Sequence, residues 1–251
     1  MTRHLGEMTS EEVGAAVMAG AMVLIPLGTV EAHGPHLPLG TDYIVAGQVA
    51  EEVARRLDRD GVPTVIAPTL PYSVAQHARG FPGTISLRGE TLESLLFDLA
   101  GGLAEHGFRR AAILCSHLEP GNAVHIQRAI ESISKELGLE MVEAFVSTGE
   151  VWLPRLRGIL ETRLRRDLHG GEMETSVMLR LRPDLVKGSW RSLPATEVDI
   201  IDTVAAGVLF KDVGPGYFGS PALSSPEKGD SIIGLWVETL AETIREFVGR
   251  A

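Results

Sequence analysis

The sequence has little cysteine, little positive charge and no long apolar run, and each shortage excludes a class of protein. Its 251 residues include one cysteine, Cys115, so no intramolecular disulfide can form, as is usual in a reducing cytoplasm. Lysine and arginine number 23 against 33 acidic residues, and the net charge of −10 makes nucleic acid and anionic membranes poor partners. No apolar run could span a bilayer, and the first residues contain no signal-peptide core. We therefore expect a cytoplasmic protein that binds neither nucleic acid nor membrane.

Strand and helix patterns alternate along the chain. Short apolar segments predict four buried strands, at residues 22–26, 64–67, 111–115 and 141–146. Capping signals and apolar residues at helical spacing predict helices that cover residues 9–18, 45–57, 91–105, 126–137 and 228–248. This alternation predicts a three-layer α/β fold with a mainly parallel sheet, helices on both of its faces, and one domain over residues 1–251.

Metal-ligand residue types are concentrated in two loops that leave predicted strands, where parallel sheets usually bind ligands. The first loop carries Glu31, His33 and Asp42, and the second carries His117 and Glu119. Mixed carboxylate and imidazole donors suit Zn²⁺ or Mn²⁺ better than Ca²⁺, and a carboxylate such as Asp42 can bridge two ions about 3.5–4 Å apart. A single such residue is more often solvated or a helix cap, but two such loops favour a metal site.

Three segments resemble the creatininase family in sequence and in order along the chain. They are IPLGTVEAHGPHLPLGTD from residue 25, FPGTISL from residue 81 with Gln76 and His77 upstream, and HGGEMETSVML from residue 169. The resemblance implies a site for two divalent ions, Zn²⁺ and/or Mn²⁺ with Fe²⁺ as an alternative. It implies as their ligands Glu31, His33, Asp42 and His117. The fifth ligand is either Glu119 or Glu174, and we favour Glu119.

His169 lies where the family has its catalytic histidine, before a Gly-Gly pair. A neutral imidazole there can take a proton from the attacking hydroxide and pass it to the leaving nitrogen. Residues expected to contact the substrate are Ser73, His77, Leu118, Gly170 and Gly171. Thr175 and Ser176 are expected to cap the helix that continues to Leu181. His36 is expected to be structural, and Cys115 a small apolar residue of a strand.

The resemblance favours a metal-dependent amidohydrolase that cleaves a non-peptide C–N amide bond, linear or cyclic, through a metal-bridged hydroxide. The alternatives are a deformylase or short-peptide peptidase of the same family, a hydrolase of a cyclic sugar ketone, or a protein that binds metals without turnover. His169 argues against the last, because a binding module needs no base. The expected partners are a small-molecule amide and further copies of the chain, as a hexamer by resemblance.

The segment before His169 lacks the tryptophan that creatininase itself uses to stack its flat ring substrate. Trp152 is the nearest candidate for a stacking face, whereas residues 162–168 contain Arg163, Arg165 and Arg166 and no aromatic side chain. Guanidinium groups suit a carboxylate or a phosphate, although arginines in a loop can equally be solvated or make subunit contacts. We therefore hypothesise a substrate other than creatinine, a larger or an anionic amide.

Overall fold

A four-stranded parallel sheet forms the centre of the computed structural model, which describes residues 4–249. Its strands are β1 (Met22–Leu27), β2 (Thr64–Ile66), β3 (Arg110–Cys115) and β4 (Glu140–Glu143). They are arranged in the order β2-β1-β3-β4, and every pairing is parallel. β1 is buried along its whole length between two neighbours, which explains its uninterrupted apolar sequence.

Helices cover both faces of the sheet, as the three-layer prediction required. The helices are α1 (Ser10–Met18), α2 (Thr41–Arg59), α3 (Gly89–Glu105), α4 (Pro120–Leu137), α5 (Gly149–Arg155), α6 (Glu172–Leu181), α7 (Ile200–Ala205) and α8 (Pro226–Gly249). Short 3₁₀ turns occur at Leu5–Glu7, Leu156–Gly158, Leu164–Arg166, Pro183–Leu185, Gly188–Ser192, Phe210–Asp212 and Pro221–Leu223. No helix within residues 4–249 is long and apolar enough to cross a membrane.

Alternate residues of β1 enter two separate hydrophobic cores. Met22 and Leu24 pack with the buried faces of α2, α6 and α8, whereas Val23 and Ile25 pack with α1, α3 and α4. Side chains alternate across a strand, so one apolar strand can supply both layers. Cys115 belongs to the second core, where burial raises the pKa of its thiol to about 12, in agreement with its predicted role as a small apolar residue.

Two local predictions were wrong. β4 ends at Glu143 instead of residue 146, because the Glu143 carboxylate accepts hydrogen bonds from the backbone N–H groups of Phe145, Val146 and Ser147 and closes a turn. Thr175 and Ser176 do not cap α6, which already begins at Glu172. The Asp167 carboxylate instead accepts the N–H groups of Glu172 and Met173, at 2.6 and 2.9 Å. Sequence patterning missed this cap because Asp167 lies outside the helix, beyond the usual capping position.

Candidate metal centre

Six buried carboxylate and imidazole side chains converge beyond the carboxyl ends of β1 and β3. The β1 loop contributes Glu31 and His33, the first turn of α2 contributes Asp42, and the loop after β3 contributes His117. The other two, His169 and Glu174, come from the segment that enters α6. All six belong to the residues singled out in the sequence.

Asp42 lies at the centre of this cluster. One of its carboxylate oxygens is 3.2 Å from His33 Nε2, and the other is 3.2 Å from His117 Nδ1. Glu31 Oε1 approaches His117 Nδ1 to 3.1 Å, and Glu174 Oε2 approaches His33 Nε2 to 3.5 Å. Although Asp42 is in the first turn of α2, its side chain does not cap the helix.

Backbone carbonyls fix the orientation of all three imidazoles. Each ring has one nitrogen that can only donate, because its partner is a carbonyl oxygen: Nδ1 of His33 to Glu31, Nε2 of His117 to Val74, and Nε2 of His169 to Ala32, at 3.1, 2.9 and 2.8 Å. The other nitrogen of each ring faces the carboxylates, and in the neutral ring it is the nitrogen that can bind a metal. Metal-ligating histidines are typically held in this way.

The donor atoms of this cluster fit a cation better than they fit one another. Both carboxylate oxygens of Glu31, one of Asp42 and Nε2 of His33 are buried with no hydrogen-bond donor as partner among the described residues. Unpaired buried acceptors are costly unless a proton or a metal compensates them. Three overlapping groups of donors could each hold an ion: Glu31, Asp42 and His117; His33, Asp42 and Glu174; and Glu31, His33 and His169.

The pKa values of the cluster show the same need for positive charge. Burial alone would lower the pKa of His33, but the Asp42 and Glu174 carboxylates raise it to about 10. Burial raises the pKa of Glu174 to about 7 and also raises that of Glu31. A divalent cation supplies the same compensation and displaces these protons, as metal binding commonly does. His169 differs, because burial and the nearby His33 hold its pKa well below the usual value.

Glu119 is outside the three donor groups. Its carboxylate accepts the backbone N–H groups of Gln76 at 3.0 Å and His77 at 3.3 Å, and it lies 3.2 Å from His77 Nδ1. Its approach to His117 is 3.9 Å, at the ring nitrogen that points away from the carboxylate cluster. The geometry thus brings Glu174 into the cluster and not Glu119, opposite to the preference drawn from the sequence.

A cavity of about 460 Å³ opens beside the cluster. Glu31, His117, His169 and Glu174 of this cluster line the cavity together with Glu119, and we call the six-residue cluster the floor of the cavity. Of the five residues expected to contact the substrate, His77 and Leu118 line the cavity.

Ser73, Gly170 and Gly171 are not among the residues that line it. Ser73 is fully buried. A Cβ at Gly171 would lie 2.2 Å from the Phe218 carbonyl oxygen, and one at Gly170 would lie 2.9 Å from Tyr217. The Gly-Gly pair is therefore explained by close packing of backbone and side chains within the protein.

One wall of the cavity was not predicted from the sequence. This apolar wall consists of Leu168, Ile200, Ile201, Val204, Ala205 and Phe210. Four of these residues lie on α7, a helix too short to show helical periodicity.

The arginines and Trp152 do not face this cavity. Arg165 pairs with Asp199 and Asp202, and Arg166 pairs with Glu197, outside the cavity lining. Trp152 is fully buried against Phe145 and Trp236 and donates its indole N–H to the Phe145 carbonyl. The stacking face and the guanidinium forks considered for the substrate are therefore absent from the lining formed by residues 4–249.

The fold and the cluster together place this protein in the class of α/β proteins that carry a metal site at the carboxyl edge of a parallel sheet. The family model for creatininase (creatinine amidohydrolase) matches residues 6–244, and the chain belongs to the creatininase family. It is 31% identical to the creatinine amidohydrolase of Pseudomonas putida, over 96% of each protein. The structures of a manganese creatininase and of a mutant creatininase of the Zn-Zn type superpose with TM-scores of 0.78 and 0.77, at 28% identity over 98% of each chain.

Other relatives carry different names. The mycofactocin precursor peptide peptidase of Mycolicibacterium smegmatis is 30% identical over 97% of this chain and 91% of its own length. The 3-dehydro-scyllo-inosose hydrolase of Thermotoga maritima is 24% identical over 97% and 83%. Family membership therefore establishes a hydrolase and leaves the bond it cleaves open.

Proposed function

We propose that the protein is a metal-dependent amidohydrolase that cleaves a C–N amide bond of a small molecule. Two divalent ions, Zn²⁺ and/or Mn²⁺ with Fe²⁺ as an alternative, would be held by Glu31, His33, Asp42, His117 and Glu174. The observation that carries the proposal is the set of buried, unpaired acceptors on Glu31, His33 and Asp42. The position of Asp42, with one oxygen toward His33 and the other toward His117, supports a bridging role.

Glu174 is proposed as the fifth ligand in preference to Glu119. Glu174 Oε2 lies near His33 Nε2 and accepts the Gly170 N–H at 2.5 Å, which fixes the carboxylate beside the cluster. Glu119 already has two backbone donors as partners.

His169 is proposed as the general acid and base. When bound, the metals would polarise the substrate carbonyl and lower the pKa of water. His169 donates from Nε2 to the Ala32 carbonyl, so Nδ1, 3.6 Å from Glu31 Oε1, presents its lone pair to the site. With this lone pair the neutral ring can accept a proton from the attacking water and deliver it to the leaving nitrogen.

Peptidase action on a short peptide is the second candidate. The cavity volume of about 460 Å³ favours it, because a pocket of this size accepts more than a small ring. Deformylation and hydrolysis of a cyclic sugar ketone are further alternatives within the family. A cytoplasmic location and assembly into a homo-oligomer, a hexamer by resemblance, stay predictions.

Metal analysis combined with one substitution tests this proposal. Purified protein reconstituted with Zn²⁺ or Mn²⁺ should hold about two ions per chain. His169→Ala should keep both ions and lose activity by about 10²–10⁴-fold on whichever substrate is turned over from a panel of cyclic amides, formamides and short peptides.

His106→Ala is the matched control, because His106 is exposed at the end of α3 and should leave both measurements unchanged. Less than one ion per chain after reconstitution contradicts the metal centre. Loss of an ion in His169→Ala makes this residue a ligand, as its proximity to Glu31 and His33 also permits.

A further inference from the structure

The wall of the cavity is apolar although its floor is among the most polar places in the protein. Ile201 is 41% exposed and lines the cavity, so part of its side chain is open to solvent there. Ile200 and Phe210 are nearly buried, in a small cluster with Ala78 and Phe218. A contiguous apolar lining in a concave site is typical of a surface that an apolar ligand covers.

The wall is placed directly beside the proposed reaction centre. The Phe210 ring centroid is 4.8 Å from that of His169, and the Phe210 N–H donates to the His77 carbonyl at 2.9 Å. A group bonded to the carbonyl or nitrogen of an amide on the floor would therefore meet the wall within a few bonds.

Apart from its histidines, the cavity lining carries charge of one sign, that of its carboxylates. The titratable residues that line the cavity are Glu31, His77, His117, Glu119, His169 and Glu174, and no lysine or arginine among the described residues joins them. Arg165 is engaged with Asp199 and Asp202, and Arg166 with Glu197, and none of the arginines before His169 lines the cavity. A carboxylate or phosphate on the substrate would thus find no cation of the protein at this wall.

We propose that the substrate carries an uncharged apolar group, aliphatic or aromatic, next to its scissile amide, and that this group binds against Ile200, Ile201 and Val204. This inference rests on the proposed amidohydrolase function and replaces the anionic substrate considered from the sequence. It selects the neutral, larger amide of the two hypotheses, because the part of the lining that α7 forms is apolar.

Matched hydroxamates test the inference without knowledge of the natural substrate, because a hydroxamate chelates a metal ion and projects its chain into the cavity. The probes are acetohydroxamate, hexanohydroxamate and the monohydroxamate of adipic acid, in which a carboxylate replaces the terminal methyl of the six-carbon chain. Isothermal titration of the metal-loaded protein should give a Kd for hexanohydroxamate at least about tenfold below that for acetohydroxamate. The adipic compound should bind no more tightly than acetohydroxamate, and tighter binding of the adipic compound than of hexanohydroxamate overturns the inference.

Ile201→Asp should raise the Kd of hexanohydroxamate by about tenfold and leave that of acetohydroxamate unchanged. Val151→Asp is the matched control, because Val151 is an exposed β-branched residue of another short helix, α5, and should change neither Kd. Ile201→Leu should retain wild-type affinity for both probes. If Ile201→Asp alters the oligomeric state and leaves both affinities intact, the wall is a contact between copies of the chain and the inference is wrong.

Failure of the proposed function and failure of the apolar subsite give different experimental results. If the reconstituted protein holds no metal and acetohydroxamate does not bind, the proposed function is wrong and the inference falls with it. If metal is present and all three hydroxamates bind equally, the metal centre stands and only the apolar subsite is rejected.

Discussion

The floor and the wall of the cavity are built by different means. On the floor, buried side chains are fixed by the ends of β1 and β3 and by α2 and α6, and backbone carbonyls orient every imidazole. The wall depends on α7, which is tied down at the surface by ion pairs from Arg165, itself 57% exposed. The proposed reaction centre is thus held by buried contacts, whereas the ion pairs that hold α7 are exposed to solvent.

Replacing Asp42, the central carboxylate, should abolish metal binding at the floor and leave the fold intact. Asp42→Ala should release both ions, because Asp42 belongs to two of the three donor groups and its two oxygens lie near His33 of one and His117 of the other. Without the metals the transition state loses several kcal/mol of stabilisation, so activity should fall by at least about 10³-fold. Metal content and acetohydroxamate binding are the direct measurements.

Asp98→Ala is the control, since Asp98 is an exposed carboxylate on α3. Full metal content in Asp42→Ala would show that the bridging role is wrong.

Separate substitutions of Glu174 and Glu119 test which of the two carboxylates is the fifth metal ligand at the floor. Glu174→Gln should weaken retention of one ion by at least about tenfold, because a neutral amide is a poor ligand beside His33. Glu119→Gln should leave metal content near that of the wild type and disturb the backbone at Gln76 and His77. Competition with a chelator, followed by metal analysis, separates the two variants. The reverse result would restore Glu119 as the fifth ligand.

The floor could be predicted from the sequence because it uses uncommon residue types at recognisable places. Glu31, His33 and His117 follow apolar segments that are unmistakable strands, and parallel strands bring their carboxyl ends together. The choice between Glu119 and Glu174 could not be made, because it depends on which way each side chain turns. Glu119 turns toward backbone donors of residues 76–77, a contact between segments more than forty residues apart.

The wall could not be predicted, because its residues carry no chemical signature. Ile200, Ile201 and Val204 are ordinary apolar residues in a segment with little regular structure, and α7 spans six residues. Only the fold shows that they line the cavity, because it places α7 at the mouth of the site. The same fold pairs Arg165 and Arg166 with acidic partners that lie 31 to 37 residues farther along the chain, outside the cavity lining.

Removing the ion pairs that hold α7 should have the smallest effect on ligand affinity and should leave the metal site at the floor unchanged. Arg165 donates from Nε to Asp199 at 2.6 Å and from Nη2 to Asp202 at 2.7 Å, at the first turn of α7. Exposed ion pairs contribute little, so Arg165→Gln should weaken hexanohydroxamate binding by less than about fivefold. Metal content and acetohydroxamate binding should not change, and high salt should reproduce the effect in the wild type because it screens surface charges.

Arg55→Gln serves as the control for this variant, because Arg55 forms a comparable exposed pair with Glu51 on α2, away from the cavity. It should leave the affinity for both hydroxamates unchanged. A loss of a hundredfold or more in Arg165→Gln, or a loss confined to the adipic compound, would mean that this guanidinium reaches the ligand. The wall would then be a site for an anion, and the distinction between a polar floor and an apolar wall would no longer hold.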